Sequence, residues 1–549
     1  MNADRLLALY EKVAEAPDAI ARLRRFVLDL AVRGKLVAQE AADEPARPKQ
    51  GVKSTDLPFD LPTNWRWMRV GDQLDLLNGM AFKPTDWVSS GTRIVRIQNL
   101  NKPEAPFNHC RPEMARERSL IDDGSFLISW SGTPGTSFGA FIWDRGPAVL
   151  NQHIFRCDFK TSLFNAQFLK FAVNGRLDEM IAKAHGGVGL QHITKGKLEA
   201  MLLPLPPLAE QRRIVAKVEE LMALLDRLET ARTAREATRD RLTVASLTRL
   251  TAPDADAADF PANARFALAT LPALTTRHDQ IKPLRQTILN LAVRGKLVKQ
   301  DPTDEPVSDL LKRIAAEKKR LGVKHSVVPL GAEEVPFELP AGWSWTRVGE
   351  ICSKTGSGST PRGGKDVYKK SGVPFLRSQI VYNDGLRLDD VAFIDAPTHK
   401  RMKGTHVLPG DLLLNITGGS MGRCGRVPYD FGDANISQHV AIIRPAVSGM
   451  EAFLHSLVLS PYFQAFIFDE QTGAGRGGLP KNRMDKIAVA LPPLAEQNRI
   501  VAKVDALMAL CDRLETALTT ADTTRARLLE ALLHEALAPA AEAATEAAE

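Results

Sequence analysis

The feature that most limits what this chain can fold into is that it contains much of itself twice. LPPLAEQRRIVAKVEELMALLDRLETA begins at Leu205, and LPPLAEQNRIVAKVDALMALCDRLETA begins at Leu491, 286 positions later, with 23 of 27 residues identical. Upstream of each copy lies a second repeat, LAVRGKLV, at Leu30 to Val37 and again at Leu291 to Val298. A looser third pair sets FDLPTNWRWMRVGD from Phe59 against FELPAGWSWTRVGE from Phe337. One structural unit used twice is the direct reading of such self-similarity. The order is short helix, variable domain, long helix, and then the same three again.

The repeated blocks read as helices. Ile214, Val218, Leu221, Leu225 and Leu228 are spaced 4, 3, 4, 3, a narrow apolar seam of coiled-coil type, and Ile500, Val504, Leu507, Cys511 and Leu514 repeat it. Pro206-Pro207 and Pro492-Pro493 suit a first helical turn, where the missing N–H has no intrahelical partner anyway. Glu210 and Glu496 then fall at the positive end of the helix dipole.

Between the helices the pattern changes. GSFLISWSG and GDLLLNITGG, with VLNQHIFRCDF and NISQHVAIIRP, are short apolar runs punctuated by Gly, Pro, Asn and Ser, as expected of strands. Helical patches such as AQFLKFAVN and MEAFLHSLV lie among them. The fold class is α+β. The expected organisation is an N-terminal helical segment (1–45), a first mixed domain (46–204) and a long helix (205–250). A linker and second helical segment (251–320) follow, then a second mixed domain (321–490), a C-terminal long helix (491–537) and a disordered tail (538–549). TAPDADAADFPANA, from Thr251, reads as linker. The charged helix SDLLKRIAAEKKRLGVKHS has no counterpart before the first domain and reads as a solvated face.

Composition narrows the function classes. The five cysteines are odd in number, scattered and without a CxxC pair, so neither a disulfide framework nor a zinc site is expected and a reducing cytoplasm fits. No run approaches the ~18 apolar residues that a membrane span requires. A formal charge of +7 and a pI near 9.0 point to an anionic partner, of which nucleic acid is the commonest.

The distribution of divergence carries more information than the charge. Two helices that have stayed nearly identical beside domains that have become different suggest that the helices meet two copies of one partner while the domains read two different things. At this point the residues resemble a known family. The LPPLAEQ-x-RIVAKV blocks, the LAVRGKLV blocks, the LP-x-x-W-x-W entry to each domain and the GDLLLNITGG…NISQH core are similar to the specificity subunit of type I restriction–modification systems, over about residues 28–537. The resemblance implies two globular target recognition domains separated by long antiparallel coiled-coil helices, with a pseudo-two-fold internal repeat. Each domain would read one half of an interrupted site in double-stranded DNA. The helices would fix the gap and dock two methyltransferase subunits, and restriction (motor) subunits would complete the assembly. The chain itself would hold no cofactor: S-adenosylmethionine belongs to the methyltransferase subunit and ATP to the motor. A helix of ~40 residues at ~1.5 Å per residue spans ~60 Å, or ~18 base pairs at ~3.4 Å each, an upper limit for the distance between half-site centres.

A self-sufficient enzyme would carry its own motif. GSTPRGG at Gly358 has Gly364 where a phosphate loop places its lysine and reads as an ordinary loop. The only Pro-Pro pairs are the helix-start prolines of LPPL, without the polar residue and aromatic that an adenine methyltransferase needs. Gln152-His153 and Gln438-His439 match in position but lie in strand-like runs with no accompanying ligand cluster, so a structural role is favoured over DNA contact. No catalytic or metal site is expected. Two other classes stay open: a coiled-coil scaffold that reads no DNA, and a degenerate complete restriction or modification enzyme.

Base reading needs directional donors and acceptors, and backbone grip needs Lys and Arg. The first domain offers Lys83, Arg96, Gln98, Asn99, Ser131, Thr133, Gln191, His192 and Lys195. The second offers Arg362, Lys365, Arg377, Gln379, Arg423, Arg476, Lys481, Asn482 and Arg483. Arg96 and Arg377 occupy equivalent places, in RIVRIQNL and VPFLRSQI.

Overall fold

The computed structural model describes residues 14–47, 52, 57–102, 104–132, 138–176, 185–187, 190–251, 260–323, 330–331, 334–468 and 478–537. Six helices organise it: α1 (Ala19–Val32), α2 (Leu208–Thr251), α3 (Phe260–Leu274), α4 (Ile281–Val293), α5 (Val307–Arg320) and α6 (Leu494–Leu537). The chain divides into two compact units, Met1–Arg235 with Asp522–Glu549, and Glu236–Ala521. Each long helix therefore contributes its two ends to different units.

In the first unit the chain enters its globular part on β1 (Arg66–Arg69) and leaves on β7 (Leu202–Leu205), which pair antiparallel. Between them lie β2 (Leu74–Asn78), β3 (Thr92–Val95), β4 (Phe126–Ser129), β5 (Ala148–Leu150) and β6 (Ile154–Phe159). One antiparallel sheet runs β2, β6, β4, Gly139–Ile142; the other runs Asn108–Cys110, β3, β5, Leu120–Ile121, with β3 and β5 parallel and Val95 opposite Leu150. All four residues of β4 are buried, which is why its sequence reads as a continuous apolar run rather than an alternation.

The second unit repeats this topology with different residues. It enters on β8 (Ser344–Arg347) and leaves on β14 (Ala488–Leu491), again paired antiparallel. Inside are β9 (Cys352–Ser357), β10 (Val373–Leu376), β11 (Leu412–Asn415), β12 (Ala434–Ile436) and β13 (Val440–Pro445). The sheets run β9, β13, β11, Cys424–Arg426 and Ala392–Ile394, β10, β12, His406–Val407, with β10 and β12 parallel and Leu376 opposite Ile436.

The three sequence repeats converge on one clasp in each unit. Gly34, just past α1, has φ +68°, and a Cβ there would lie 2.4 Å from the Pro62 ring; Gly295, just past α4, has φ +67° and would meet Pro340 at 2.3 Å. Only glycine fits both the left-handed backbone and the close approach. The preceding arginines cover the phenylalanines of the third repeat, Arg33 over Phe59 and Arg294 over Phe337, each at 4.7 Å. On the long helices Arg213 forms a two-bond pair with Asp43 (3.1 and 2.6 Å), and Arg499 does the same with Asp304 (3.0 and 2.7 Å). Glu210 accepts from Trp65 Nε1 at 2.9 Å and Gln39 Nε2 at 2.6 Å, and Glu496 accepts from Gln300 Nε2 at 3.0 Å.

Burial pushes the Glu210 and Glu496 carboxyls above the ordinary glutamate value of 4.5. In the window just above that value the native state holds protons that the unfolded chain has released, so each group costs stability as pH rises through it. Replacing both by Gln is expected to flatten this decline, because an amide at either position has no proton to release over this range. Denaturant midpoints measured from about pH 4 to 7 check it: an unchanged slope in the double variant would assign the pH dependence elsewhere.

The clasp changes what the repeat means. Leu205, Pro206, Pro207, Glu210, Gln211, Ile214 and Val218 are identical to their counterparts because all are buried in their unit's core, and so are the counterparts. Packing therefore accounts for much of the identity that suggested a shared partner. The seam residues follow suit. Ile214, Val218 and Leu225 are buried in the first core, with Leu221 and Leu228 packed against it, and Leu529 and Leu532 of α6 complete that core. Ile500 and Val504 are buried in the second core, Cys511 is buried, and Leu507 and Leu514 are half-buried.

Three expectations are corrected. The linker reading after Thr251 runs too far, since from Phe260 the chain is helical; Pro261 sits in the first turn of α3, where it costs no hydrogen bond, and Ala-rich sequence propagates the helix. The charged helix α5 is not a solvated rod, because Val307, Leu310 and Ile314 are buried and Lys318 Nζ donates to the carbonyls of Gly349 (2.6 Å) and Glu350 (2.9 Å). Gln152-His153 and Gln438-His439 are not strand residues: they are the central pairs of tight turns between β5 and β6 and between β12 and β13. The 538–549 tail lies outside the described residues.

Candidate nucleic-acid interface

The parallel pairs β3–β5 and β10–β12 end at one rim of each domain, and the polar residues that match between the domains gather there. Asn151 N–H donates to Val95 O, and Ser437 N–H to Leu376 O, both at 3.0 Å, so Arg96 and Arg377 leave their strands beside the start of a Gln-His turn. The turns close by Ile154 N–H to Asn151 O (3.2 Å) and Val440 N–H to Ser437 O (3.1 Å). Each is tied to the central strand as well, through Trp130 N–H to His153 O at 3.3 Å and Ile416 N–H to His439 O at 3.0 Å.

In the first domain Arg96 Nη2 donates to Asn108 Oδ1 at 3.3 Å, and the guanidinium lies 5.7 Å from the centre of the exposed Trp87 ring. Gln152 and His153 place their Nε2 atoms 3.3 Å apart beside Trp130. Burial holds His153 below the ordinary histidine value, so it is a neutral donor and acceptor at neutral pH. Arg96 Nε, Trp130 Nε1, Gln152 Oε1 and His153 Nδ1 are buried with no partner among the described residues. In the second domain Gln438 and His439 are exposed, His439 Nδ1 lies 2.7 Å from Thr417 Oγ1, and Arg377 Nε is buried without a partner among the described residues.

Several sequence candidates fall elsewhere. Asn99 is wholly buried: its Oδ1 accepts Arg96 N–H, and its Nδ2 donates to Ala105 O and Pro106 O, so it builds the loop. Lys195 Nζ is held by Leu76 O at 2.9 Å, and Lys481 is paired with the buried Asp485. Ser131 is buried, its backbone paired with His192, and Gln191 pairs with Gly132. Lys83, Gln98, Arg362, Asn482 and Arg483 are exposed, as is Gln379, whose amide donates to Asp390. Thr133, Arg476 and the side chains of Gln191, His192 and Lys365 lie outside the described residues.

Sequence reasoning named Arg423 but missed the aromatic and basic cluster it joins in the second domain. Arg387 and Arg423 lie 3.9 and 4.8 Å from the centre of the Tyr382 ring. The single arginine close to an aromatic in VYNDGLR, Arg387 beside Tyr382, was the available signal, since such stacks present donors while fixing the guanidinium plane. Among the described residues no group of His, Cys, Asp or Glu could hold a metal ion. No helix among them is long and apolar enough to cross a membrane.

A duplicated α+β scaffold with one clasp and two dissimilar polar rims has the layout of a recognition protein with two reading heads. The family description "Type I restriction modification DNA specificity domain" matches residues 62–236 and again 340–521, together well over half of the chain. The type I restriction enzyme EcoAI specificity subunit of Escherichia coli is 25% identical over 94% of both chains, and the EcoEI specificity subunit of the same organism is 26% identical over the same shares. A chain of a solved structure described as the structural basis underlying complex assembly and conformational transition of the type I R-M system shares the fold, with a TM-score of 0.51 at 20% identity, covering 87% of this chain and 99% of that one. The chain belongs to the type I restriction–modification specificity subunits: it is a recognition component, not an enzyme. Neither a bare scaffold nor a degenerate complete enzyme is favoured by a specificity-domain match that occurs twice.

Proposed function

We propose that each domain reads one half of a bipartite, interrupted site in double-stranded DNA, and that the long helices set the gap and dock two methyltransferase subunits. The complex so formed directs adenine N6 methylation in the cytoplasm, or restriction when motor subunits join. The observation that carries this reading is one strand topology with two unlike rims, Trp87 and Asn108 around Arg96 in the first domain and Tyr382, Arg387 and Arg423 in the second. Domains of 46–204 and 321–490 are the reading heads, with Lys83, Arg96, Gln98, Arg362, Arg377, Gln379, Arg423, Asn482 and Arg483 among the candidate contacts.

Docking is supported by the identical residues that packing does not explain. Ala216, Ala223, Leu224 and Arg227 are exposed, as are their counterparts Ala502, Ala509, Leu510 and Arg513. Exposed helix positions are free to drift, so their retention in both copies fits a surface used twice. The test is co-expression with the methyltransferase subunit in a methylation-free host, followed by genome-wide mapping of N6-methyladenine. A single motif with two unlike halves and a fixed gap is expected. An assembled complex that adds no methylation refutes the reading.

A further inference from the structure

Two domains that read different sequences have reason to share, at their reading rims, only what touches something both half-sites possess. We propose that the turns Gln152-His153 and Gln438-His439, each with its neighbouring arginine, Arg96 or Arg377, form a clamp on the DNA sugar–phosphate backbone, one per half-site, around which the differing residues read bases. The inference rests on the DNA-reading function proposed above.

The fold does not require these residues. The central positions of a tight turn favour Gly, Pro, Asn, Asp or Ser, each for a backbone reason, and neither Gln nor His supplies one. Their side-chain contacts with the domain are few: His439 Nδ1 lies 2.7 Å from Thr417 Oγ1, and His153 faces Trp130. Gln438 and His439 are exposed, with 3.4 Å between their Nε2 atoms. Gln152 Oε1 and His153 Nδ1 have no partner among the described residues. The two arginines share one further trait, a buried Nε without a partner among the described residues. Gln98 and Gln379, two residues beyond them, match and are exposed.

What surrounds each turn has diverged. Trp130 faces His153 where Ile416 occupies the equivalent place, and Asn108 holds Arg96 where Asp390 lies 3.9 Å from Arg377. Guanidinium, carboxamide and imidazole N–H groups are all phosphate donors, and the charged one makes the stronger bond. Identical side chains on equivalent backbones cannot distinguish two different half-sites, whereas the phosphates present the same oxygens at both.

The experiment uses the complex with its methyltransferase subunit and a duplex carrying the mapped site. The variants are Gln152→Ala with His153→Ala, Gln438→Ala with His439→Ala, Arg96→Gln and Arg377→Gln. Kd is expected to rise about tenfold for each, by the same factor on the mapped site and on single-base mismatches of it. The slope of log affinity against log salt becomes shallower by about one for each arginine replaced, Arg→Lys restores it, and the methylated motif keeps every base. Relaxation of one base in the corresponding half-site would mean base reading and overturn the clamp. Unchanged affinity and slope, or loss of hydrogen-exchange protection in the adjoining strands, would mean a structural turn and overturn it too. A wild-type complex whose DNA binding ignores salt would refute the proposed function itself, and the clamp with it.

Discussion

Replacing Leu529 and Leu532 by alanine is expected to unfold the first unit while leaving the second intact. Both side chains are buried, 0% and 4% exposed, in a core otherwise built from α1, the first domain and the start of α2. A buried Leu→Ala change costs about 2–5 kcal/mol through lost burial and the cavity left behind. Two such changes on one helix face, against a net domain stability of about 5–15 kcal/mol, remove most of the margin. The surrounding polar contacts do not compensate: Arg22 to Glu530 at 3.0 Å involves a largely exposed carboxylate and contributes little. Lys35 Nζ to the Leu537 carbonyl, at 2.7 Å, is lost along with the helix. The second core contains no residue from 522–537. Hydrogen exchange resolved along the chain reads the outcome: β4 and β6 lose protection while β11 and β13 keep theirs. Equal loss in both units would show that they fold as one, and no loss would show that α6 is not needed to close the first.

That closure could not be read from the sequence. The apolar periodicity of the long helices was legible, and so were their starts at Pro206-Pro207 and Pro492-Pro493. What a periodic seam does not encode is its partner. Ile214 and Val218 face their own domain, while Leu529 and Leu532, near the far end of the chain, face the same core. The strands were legible where burial on both faces made apolar runs, as in LLLN of β11. Interrupted runs were harder. VLNQHIFRCDF reads as one strand because nothing in Gln-His announces a turn; only the backbone bonds from Asn151 to Val95 and from Ile154 to Asn151 reveal it. The charged helix α5 hides its three buried residues among seven charged ones, a pattern that composition assigns to solvent.

The candidate rim divides along the same line. Arg96 and Arg377 were identifiable because equivalent positions in two divergent domains can be compared within one chain. Asn99 was not separable from them by sequence, since its role is fixed by carbonyls at Ala105 and Pro106 that only the folded loop brings within reach. The cluster on Tyr382 depends on Arg423, 41 residues away, and no local pattern joins them. Duplication thus informs on what two domains share and is silent on what each has gained alone, which is where base specificity would reside.

Substituting residues 66–205 for residues 344–491 is expected to give a complex that methylates a site with two halves of the same sequence. The geometry favours a clean exchange. Arg66 pairs with Leu205, and Ser344 with Leu491, so each domain enters and leaves on adjacent antiparallel strands. The clasp stays behind, because Phe337, Pro340 and Trp343 precede the junction and Glu496 and Arg499 follow it. The helices that would set the gap are untouched, so the spacing between half-sites is retained. A cost falls on α5, whose Val307, Leu310 and Ile314 lose the surface they pack on and whose Lys318 loses the Gly349 and Glu350 carbonyls. Its consequence is lower stability of the second unit, read by melting temperature, with no change of motif. Genome-wide mapping of N6-methyladenine separates the possibilities. A symmetric motif at the original gap supports one half-site per domain. Retention of the original unlike half would place its reading outside 344–491, and a changed gap would mean that the domains, rather than the helices, set the spacing.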